Sequence, residues 1–416
     1  MMEKLQAFKF ELRPDGRKKR LMNRFAGCKR LVYNKALAER IRAREAGEKM
    51  PSYADLCRRL TAWRNAPATA FLAEAPVHPQ QQALKDLDRA YKNFFEGRGA
   101  FPKFKSKGEG ESFRYPDPKQ FKLDQANGRV FLPKLGWMRY RKSREVEGEL
   151  RNITVSLDAG KWFASIQTRQ EIEPAVPMAK AFCGIDMGVA CFATLDGGAR
   201  VEGPNSFKKH EQRLAQYQRR MARKIKGSAN WWKAKRRVRK IQSRIANARK
   251  DFLHKESAKL ADSHAGIAIE DLRVKNMSAS AKGTIESPGK NVKQKSALNK
   301  RILDQGWGMF RTMLEYKMAA RGHVLVVVPA ANTSRKCPCC GHVAAGNRPS
   351  RSVFCCVACG HSGHADHVAA INIREAGHAL LACPARGASM PPATGTRRSG
   401  GAKAKAASPS VGIPVL

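Results

Sequence analysis

Three short stretches of this sequence each place a carboxylate where the surrounding residues are apolar. In 182-FCGIDMGVACFATLDG-197, Asp186 ends an apolar run and is followed by Gly188 and a second apolar run, which reads as a strand, a tight turn and a second strand. Glu270, in 267-IAIEDLRVKNM-277, ends the buried-type run from Gly266 to Ile269. Asp366, in 364-HADHVAAINI-373, opens an amphipathic run (Val368, Ile371, Ile373) that reads as the first turn of a helix. Any one of them alone is more commonly a turn or cap residue. Carboxylates at apolar strand ends are costly to bury unpaired, and three together point to a shared cation. Mg²⁺ suits such a set, because it takes oxygen ligands and keeps waters that substrate phosphates can replace.

A second group of chemistry-bearing residues is sulfur. Six of the eleven cysteines (Cys337, Cys339, Cys340, Cys355, Cys356, Cys359) fall in one short segment. Cys337-x₂-Cys340 and Cys356-x₂-Cys359, with fifteen residues between the pairs, fit a four-thiolate zinc ribbon. Cys339 and Cys355 are rival choices, and His342, His361 and His364 are possible substitutes. Gly341 and Gly360 favour the first assignment, since the turn of a C-x-x-C-G knuckle needs a permissive residue just past its second ligand. One structural Zn²⁺ is expected, because four thiolates leave no position open for water.

The elements that must position these groups sit in a chain of 416 residues with a formal net charge of +44 and a pI near 10.4. That length allows two or more domains. The charge calls for a polyanionic partner, with nucleic acid first and an anionic membrane second. No run of about 18 apolar residues supports the membrane, and MMEKLQAFKF lacks the apolar core of a signal peptide, so an intracellular, cytoplasmic chain is expected.

Residues 5-LQAFKFEL-12 alternate as a half-buried strand does. From Arg17, Leu21, Phe25, Cys28 and Val32 keep a helical period among basic residues. More helix is expected from about Tyr53 to Phe95, interrupted near Pro67 and at 76-PVHPQ-80. Short runs at 129–134, 137–142, 150–157 and 161–168 predict strands of a small antiparallel barrel that also takes in the N-terminal strand. Pro174 and Pro177 mark a linker.

Between Asp186 and Glu270 lie two narrow apolar seams, Leu214, Tyr217, Met221 and Ile225, then Val238, Ile241, Ile245, Ala248 and Phe252. They predict a helical hairpin. Its other faces are Lys and Arg, with Glu211 and Asp251 the only acids between 207 and 255. Contact with nucleic acid through Arg219, Arg220, Arg223 and Lys224 is expected, against a bland reading as a solvated face. A Gly, Ser and Lys-rich loop (278–295), a helix around 299–322 and a buried strand at 323–330 follow. From about Cys383 the composition is that of a disordered tail.

The order G-I-D-x-G-V, I-E-D-L-x-V-K-N-M, 333-TSRKCPCCG-341 and A-D-x-x-A-A-x-N-I resembles the TnpB/OrfB family, insertion-sequence-encoded RNA-guided DNA endonucleases related to type V CRISPR effectors. The resemblance runs from Leu5 to about Gly377. It implies a multidomain α+β chain. Residues 180–335 and 362–380 would form an RNase H-like (RuvC) nuclease core with an inserted helical hairpin. Residues 336–361 would form the zinc ribbon, 1–16 and 100–175 a wedge β-barrel, 17–99 a helical recognition domain and 383–416 the tail. By the same resemblance Asp186, Glu270 and Asp366 are the catalytic triad, holding two Mg²⁺ ions for in-line attack of water on a phosphodiester. Guide RNA and target DNA are the implied partners of a chain expected to act as a monomer. Gln81, Gln82, Lys85 and Tyr91 match the end of the recognition domain and are candidates for reading base edges, against a reading as exposed helix residues. Two positions depart from the family: Val368 stands where Asn is usual, and Arg335 where Gln is usual. A nuclease-inactive RNA-guided repressor is the alternative, disfavoured because all three acids are present. A DNA transposase is the other, disfavoured by the thiol segment just before the last Asp.

Overall fold

The structure, a computed structural model, describes residues 2–108, 110–172 and 181–382. The expected linker prolines Pro174 and Pro177 and the expected tail, 383–416, lie outside the described residues.

The N-terminal half starts with β1 (Met2–Glu11), whose alternation buries Phe8 and Phe10. Helix α1 (Gly16–Glu45) begins where the Asp15 carboxylate accepts the Lys18 N–H at 2.7 Å, and it buries Phe25, Cys28, Val32 and Ala36 along one stripe. Helix α2 (Tyr53–Asn65) opens with a Ser52–Asp55 capping box. After the short α3 (Phe71–Glu74), α4 (Val77–Phe95) carries Pro79 in its first turn, where a missing N–H costs nothing. Then come β2 (Ser112–Tyr115), β3 (Lys122–Asp124), β4 (Arg129–Leu132), β5 (Gly136–Arg139), β6 (Glu149–Asp158) and β7 (Lys161–Ile172). They pair as a four-stranded antiparallel sheet ordered β1-β7-β6-β2 and a three-stranded one, β3-β4-β5, which meet at the Leu12–Tyr140 bridge. The expected barrel is therefore not what forms: among the described residues no closed barrel is found. The reason is length. Strands of three or four residues cannot close the circle, and helices cover the open edge instead, with Phe25 of α1 edge-on to Phe113 of β2. Helices and sheets share one hydrophobic core, from Phe8 through Leu84 to Ile166.

The second half is built on a five-stranded sheet. It starts with β8 (Phe182–Asp186), β9 (Ala193–Leu195) and β10 (Arg200–Val201), continues through α5 (Glu211–Ala222) and α6 (Ala229–Ser263), and returns as β11 (Gly266–Glu270). Helices α7 (Val274–Met277), α8 (Val292–Gln305) and α9 (Trp307–Ala319) lead to β12 (Val324–Val328). The sheet order is β10-β9-β8-β11-β12, with β8, β11 and β12 parallel and β9 and β10 antiparallel. The single helix expected over 299–322 is two helices, because Gly306 takes φ 72° and breaks the run. The thiol segment follows, with β13 (Val353–Cys355) and β14 (Ser362–His364) forming a hairpin, and α10 (Ala365–Ala382) closes the described chain.

The two faces of this sheet are covered differently. Cys183, Ile185, Ile267 and Ile269 face a thick core with Leu253 and Leu260 of α6 and Phe310 and Leu314 of α9. The other face, with Ala268 and Val328, carries α10 through Ile373. Glycines let that helix come close. A Cβ on Gly184 would stand 2.1 Å from the Ala370 carbonyl oxygen and 2.6 Å from the Arg374 nitrogen, and one on Gly377 would meet the Ala268 Cβ at 2.7 Å.

The hairpin forms as expected at its base, where Leu214, Val238, Ile241 and Ile245 are buried together. Two seam positions differ. Ile225 is 83% exposed at the tip, and Ala248 is exposed because beyond Ile245 the helix leaves its partner and dives beneath the sheet.

Because Gly184 meets backbone, which cannot swing away, Gly184→Ala is expected to cost about 1–3 kcal/mol by overpacking. Denaturant unfolding of the two chains measures it, and a loss under about 0.5 kcal/mol would refute the close helix–sheet contact.

Candidate functional site

Side chains alternate across a strand, so residues of one parity share a face. On β8 the positions facing α10 are Phe182, Gly184 and Asp186; on β11 they are Gly266, Ala268 and Glu270. Ile269 pairs with Ile185 in parallel register, so Asp186 and Glu270 occupy the next rung, side by side at the carboxyl ends of adjacent strands. Asp366 comes to the same end from above, in the first turn of α10, where the helix dipole favours a negative charge. The three carboxylates thus converge from two strands and one helix.

Their electrostatics follow from that convergence. Burial, then the charges of Glu270 and Asp366, push the Asp186 carboxyl up to about 7, against a smaller pull downward from Arg348. Burial also raises Glu270, opposed by the Thr333 hydroxyl hydrogen bond and again by Arg348. Desolvation and like charge therefore both work against ionisation here. A divalent cation among these oxygens would reverse both effects, so the donor set fits a hard metal ion.

The residues that hold the acids were not singled out by sequence. Thr333 Oγ donates to Glu270, and its carbonyl is fixed by Asn372 Nδ2 at 2.7 Å, which also donates to the Lys336 carbonyl at 2.8 Å. Asp196, just past β9, does the same for α10. Its carboxylate accepts from Arg374 at 2.8 Å and from the Cys183 thiol at 3.0 Å, while its carbonyl contacts His367 Nε2, next to Asp366, at 2.8 Å. Arg348 reaches Asp366 Oδ1 at 3.5 Å, and Arg200 stands 4.0 Å from Oδ2. Thr333 lies in the quoted TSRK motif and Asn372 in A-A-x-N-I, so both were visible as motif residues. Arg348 stands in a loop with no periodicity of its own.

Four thiols form the other cluster. The sulfurs of Cys337, Cys340, Cys356 and Cys359 lie within 4.8 Å of one another, with Cys337–Cys359 and Cys340–Cys356 at 3.6 Å. Tetrahedral zinc thiolates, with Zn–S near 2.3 Å, put sulfurs about 3.8 Å apart, so the cage fits that ion. Both knuckles have the same backbone pattern. Gly341 N–H donates to the Cys337 carbonyl and Gly360 N–H to that of Cys356, and both glycines have φ near +74° and +73°. Cys339 and Cys355 are exposed and outside the group. Asn347, fully buried, donates to the Arg335 and His342 carbonyls and accepts the Val357 N–H, which ties the two knuckles together beside Arg348. Val368 is buried against Cys337, Phe354 and Cys356, so the position that departs from the family packs the thiol segment onto α10.

The remaining candidates divide. Arg219, Arg220, Arg223 and Lys224 are all exposed at the end of the hairpin. Lys85 is exposed and Gln81 half-buried on α4. Gln82 and Tyr91 are buried, Gln82 beside Asp86 and Tyr91 against Phe95, Phe101 and the Arg40 guanidinium. The helical period puts these two on the core face, so they are packing residues and their side chains do not face a partner.

Comparison with known proteins bears on this geometry. Residues 165–281 match the family described as "Probable transposase" (OrfB_IS605), 307–373 the "Cas12f1-like, TNB domain" and 1–49 a "Helix-turn-helix domain". The chain is 51% identical over 382 residues to the Escherichia coli (strain K12) protein named "Putative RNA-guided DNA endonuclease InsQ", covering 92% of this chain and 94% of that one. The chain belongs to the TnpB/OrfB family. A relative from Streptomyces pristinaespiralis, named "Putative RNA-guided DNA endonuclease", is 36% identical over 92% of each chain. In fold, this TnpB/OrfB chain is similar to the protein in a Cas12f1–sgRNA–target DNA complex, with a TM-score of 0.56 over 89% of this chain and 99% of that one at 12% identity. That likeness fits a mixed α/β multidomain architecture. Among the described residues no helix is long and apolar enough to cross a membrane.

Two outcomes follow. In zinc-replete, magnesium-free buffer, Asp186→Asn should be as stable as wild type near pH 4 and more stable by pH 8. Asp186 has a folded pKa of about 7 against an ordinary 3.8, so wild type loses stability as pH rises through that window. The gap should reach a few kcal/mol, roughly 1.4 per unit. A pH-independent difference in unfolding free energy would show that Asp186 is not crowded. Separately, Cys337→Ser or Cys359→Ser should lower bound zinc per chain, and Cys339→Ser or Cys355→Ser should not. Atomic absorption reads this directly, and equal loss in all four would reassign the ligands.

Proposed function

We propose that this chain is an RNA-guided, metal-dependent DNA endonuclease of a transposon, with Asp186, Glu270 and Asp366 as the acids of a RuvC-type site. The observation that carries it is the convergence of those three carboxylates, two on adjacent strand ends and one on the first turn of α10, where burial and then their mutual charge raise Asp186 to about 7. The strand order β10-β9-β8-β11-β12, in which β10, β9 and β8 pair antiparallel and β8, β11 and β12 pair parallel, supports an RNase H-like core. The names of the relatives, RNA-guided DNA endonucleases, point to a guide RNA and a DNA target as partners.

In this reading Asp186, Glu270 and Asp366 would hold two Mg²⁺ ions, whose chemistry there would be activation of water and stabilisation of charge on the scissile phosphate. The protein's own part is positional. Thr333 and Asn372 fix Glu270, Asp196 fixes the helix bearing Asp366, and the glycine contact with β8 sets the height of that helix over the sheet. Arg348 brings a guanidinium to the same carboxylates from the thiol segment. With a phosphodiester in place it would meet the developing negative charge, a role Arg suits through its forked donors. Cys337, Cys340, Cys356 and Cys359 would hold one structural Zn²⁺, which would keep the loop bearing Asn347 and Arg348 in shape. Base pairing reads the target, as in the related effector described for CRISPR systems, and the protein reads a short flanking motif.

Replacing Asp186, Glu270 or Asp366 by Ala should abolish cleavage of a guide-matched plasmid in Mg²⁺ while guide and target binding stay near wild type. Arg348→Ala should retain zinc and slow cleavage by about 10²–10³-fold, the usual loss on removing one transition-state donor. A triple acid variant that still cuts would disprove the site, and an Arg348→Ala enzyme at full speed would remove Arg348 from it.

A further inference from the structure

The hairpin tip holds a half-open cleft of about 500 Å³ between the end of α5 and the start of α6. Arg220, Arg223 and Lys224 line one side, Lys233 and Arg237 the other, with Asn230 at the turn and no acid in the lining. Among the described residues none of these five cations makes an ion pair. This is unlike the hairpin base, where Arg249 pairs with Asp304 at 2.9 Å, Lys300 with Glu211 at 3.7 Å and Lys255 with Asp251 at 2.7 Å. Glu211 and Asp251, the two acids between 207 and 255, are thus engaged away from the tip, and the tip is left cationic.

The walls are also held at a fixed separation. The buried seam of Leu214, Val238, Ile241 and Ile245 zips the two helices together. At the base, Asp304 accepts from Ser206 Oγ at 2.6 Å and from the Phe207 N–H at 2.9 Å. On the far side of α6, the Trp232 ring packs on Gly108 and Arg239 donates to the Gly108 carbonyl, which anchors α6 to the N-terminal half. Like charges fixed this close repel and gain nothing from the fold, so their arrangement is suited to a ligand that neutralises several at once.

We propose that this cleft is a two-walled binding site for the phosphodiester backbone of a nucleic-acid strand. Cations stand one helical turn apart on each wall (Arg220 with Arg223 and Lys224; Lys233 with Arg237), which suits a linear polyanion and exceeds what a single phosphate would neutralise. The lining offers no aromatic platform free to stack, since Tyr217 is partly buried in the hairpin seam beneath the Arg220 guanidinium, so the grip is on backbone and independent of base sequence. Arg219, exposed but outside the cleft, takes no part. The proposal deepens the RNA-guided reading only in naming where a strand is held, and its test uses no cleavage, so either can fail alone.

The experiment is a salt titration of full-length protein with fluorescein-labelled 20-nucleotide oligo(U) RNA and oligo(dT) DNA. Arg220→Gln/Arg223→Gln/Lys224→Gln should flatten the plot of log affinity against log salt by up to about 2, and Lys233→Gln/Arg237→Gln by up to about 1.4, at roughly 0.7 per lost contact on a single strand. Arg213→Gln/Arg219→Gln, on the same helix but outside the cleft, should change affinity less than about twofold. The charge-conserving Arg220→Lys/Arg223→Lys should keep the wild-type slope and controls for misfolding. Unchanged slopes in both wall variants, an equal loss in the outside control, or a slope lost in the charge-conserving variant would each overturn the cleft. The strand's source is read from the same variants as purified. Loss of copurified RNA assigns the guide, and retained RNA with weakened capture of target DNA assigns the target; retention of both at wild-type strength would overturn the proposal.

Discussion

Helix α10 lies directly on the backbone of β8, and the geometry of the candidate site depends on that contact. No side chain separates Gly184 from the Ala370 carbonyl, so the helix has one height and one rotation over the sheet. That fixes where its first turn ends, and hence where Asp366 sits relative to Asp186 and Glu270. The sheet contributes the rest through its period of two, which sends both strand carboxylates to the face the helix covers. Asp196 then reinforces the same contact with an ion pair to Arg374 and a carbonyl contact to His367, one on each side of Ala370 along the helix.

Holding three acids together has a cost that the molecule offsets only in part. Thr333 and Arg348 lower what burial raises at Glu270, yet Asp186 still rises to about 7. Replacing one acid with a neutral residue would relieve the repulsion, so the cluster is poor design for stability alone. Strain of this kind, where local rules are broken without compensation, is where functional sites are expected. The thiol segment is linked to the same region in two ways. Arg348 and the buried Asn347 belong to it, and Val368 of α10 packs against Cys337 and Cys356. A change in the thiol cage would therefore reach the acids through an adjacent side chain.

Much of this was legible in the sequence. The three carboxylates stood out because each interrupts an apolar run, and the zinc-type thiols because C-x-x-C-G spacing is specific. What sequence could not give has physical causes. Whether four short strands and three long ones close into a barrel depends on whether helices cover the open edge. Gln82 and Tyr91 are candidates through their match to the end of the recognition domain, but the period of α4 turns them into the core. Gly306 was one glycine in a helical run, and only its left-handed φ shows that it divides two helices. Arg348 and Asp196 act on partners 18 and 178 residues away, through contacts that no local pattern encodes.

The net charge of +44 is also not spread evenly in its consequences. In the N-terminal half many arginines are engaged: Arg30 with Glu111, Arg40 with Asp88, Arg59 with Glu39, Arg129 with Asp124. Apart from that of the buried Arg40, these pairs are exposed or half-exposed and add little stability each, but all of them cancel charge locally. At the hairpin tip the same cancellation is absent and the cations face a shared cleft. Glu111 shows how the two regimes meet. It takes the Arg30 guanidinium and the Gly108 N–H, and the carbonyl of that same Gly108 receives Arg239 from α6. The neutralised half of the protein thus serves as the fixed support against which the unneutralised hairpin is braced. A charged arm held only by its own seam would splay under its repulsion; anchored at Asp304 and at Gly108, it keeps its walls at a fixed separation without a ligand to hold them.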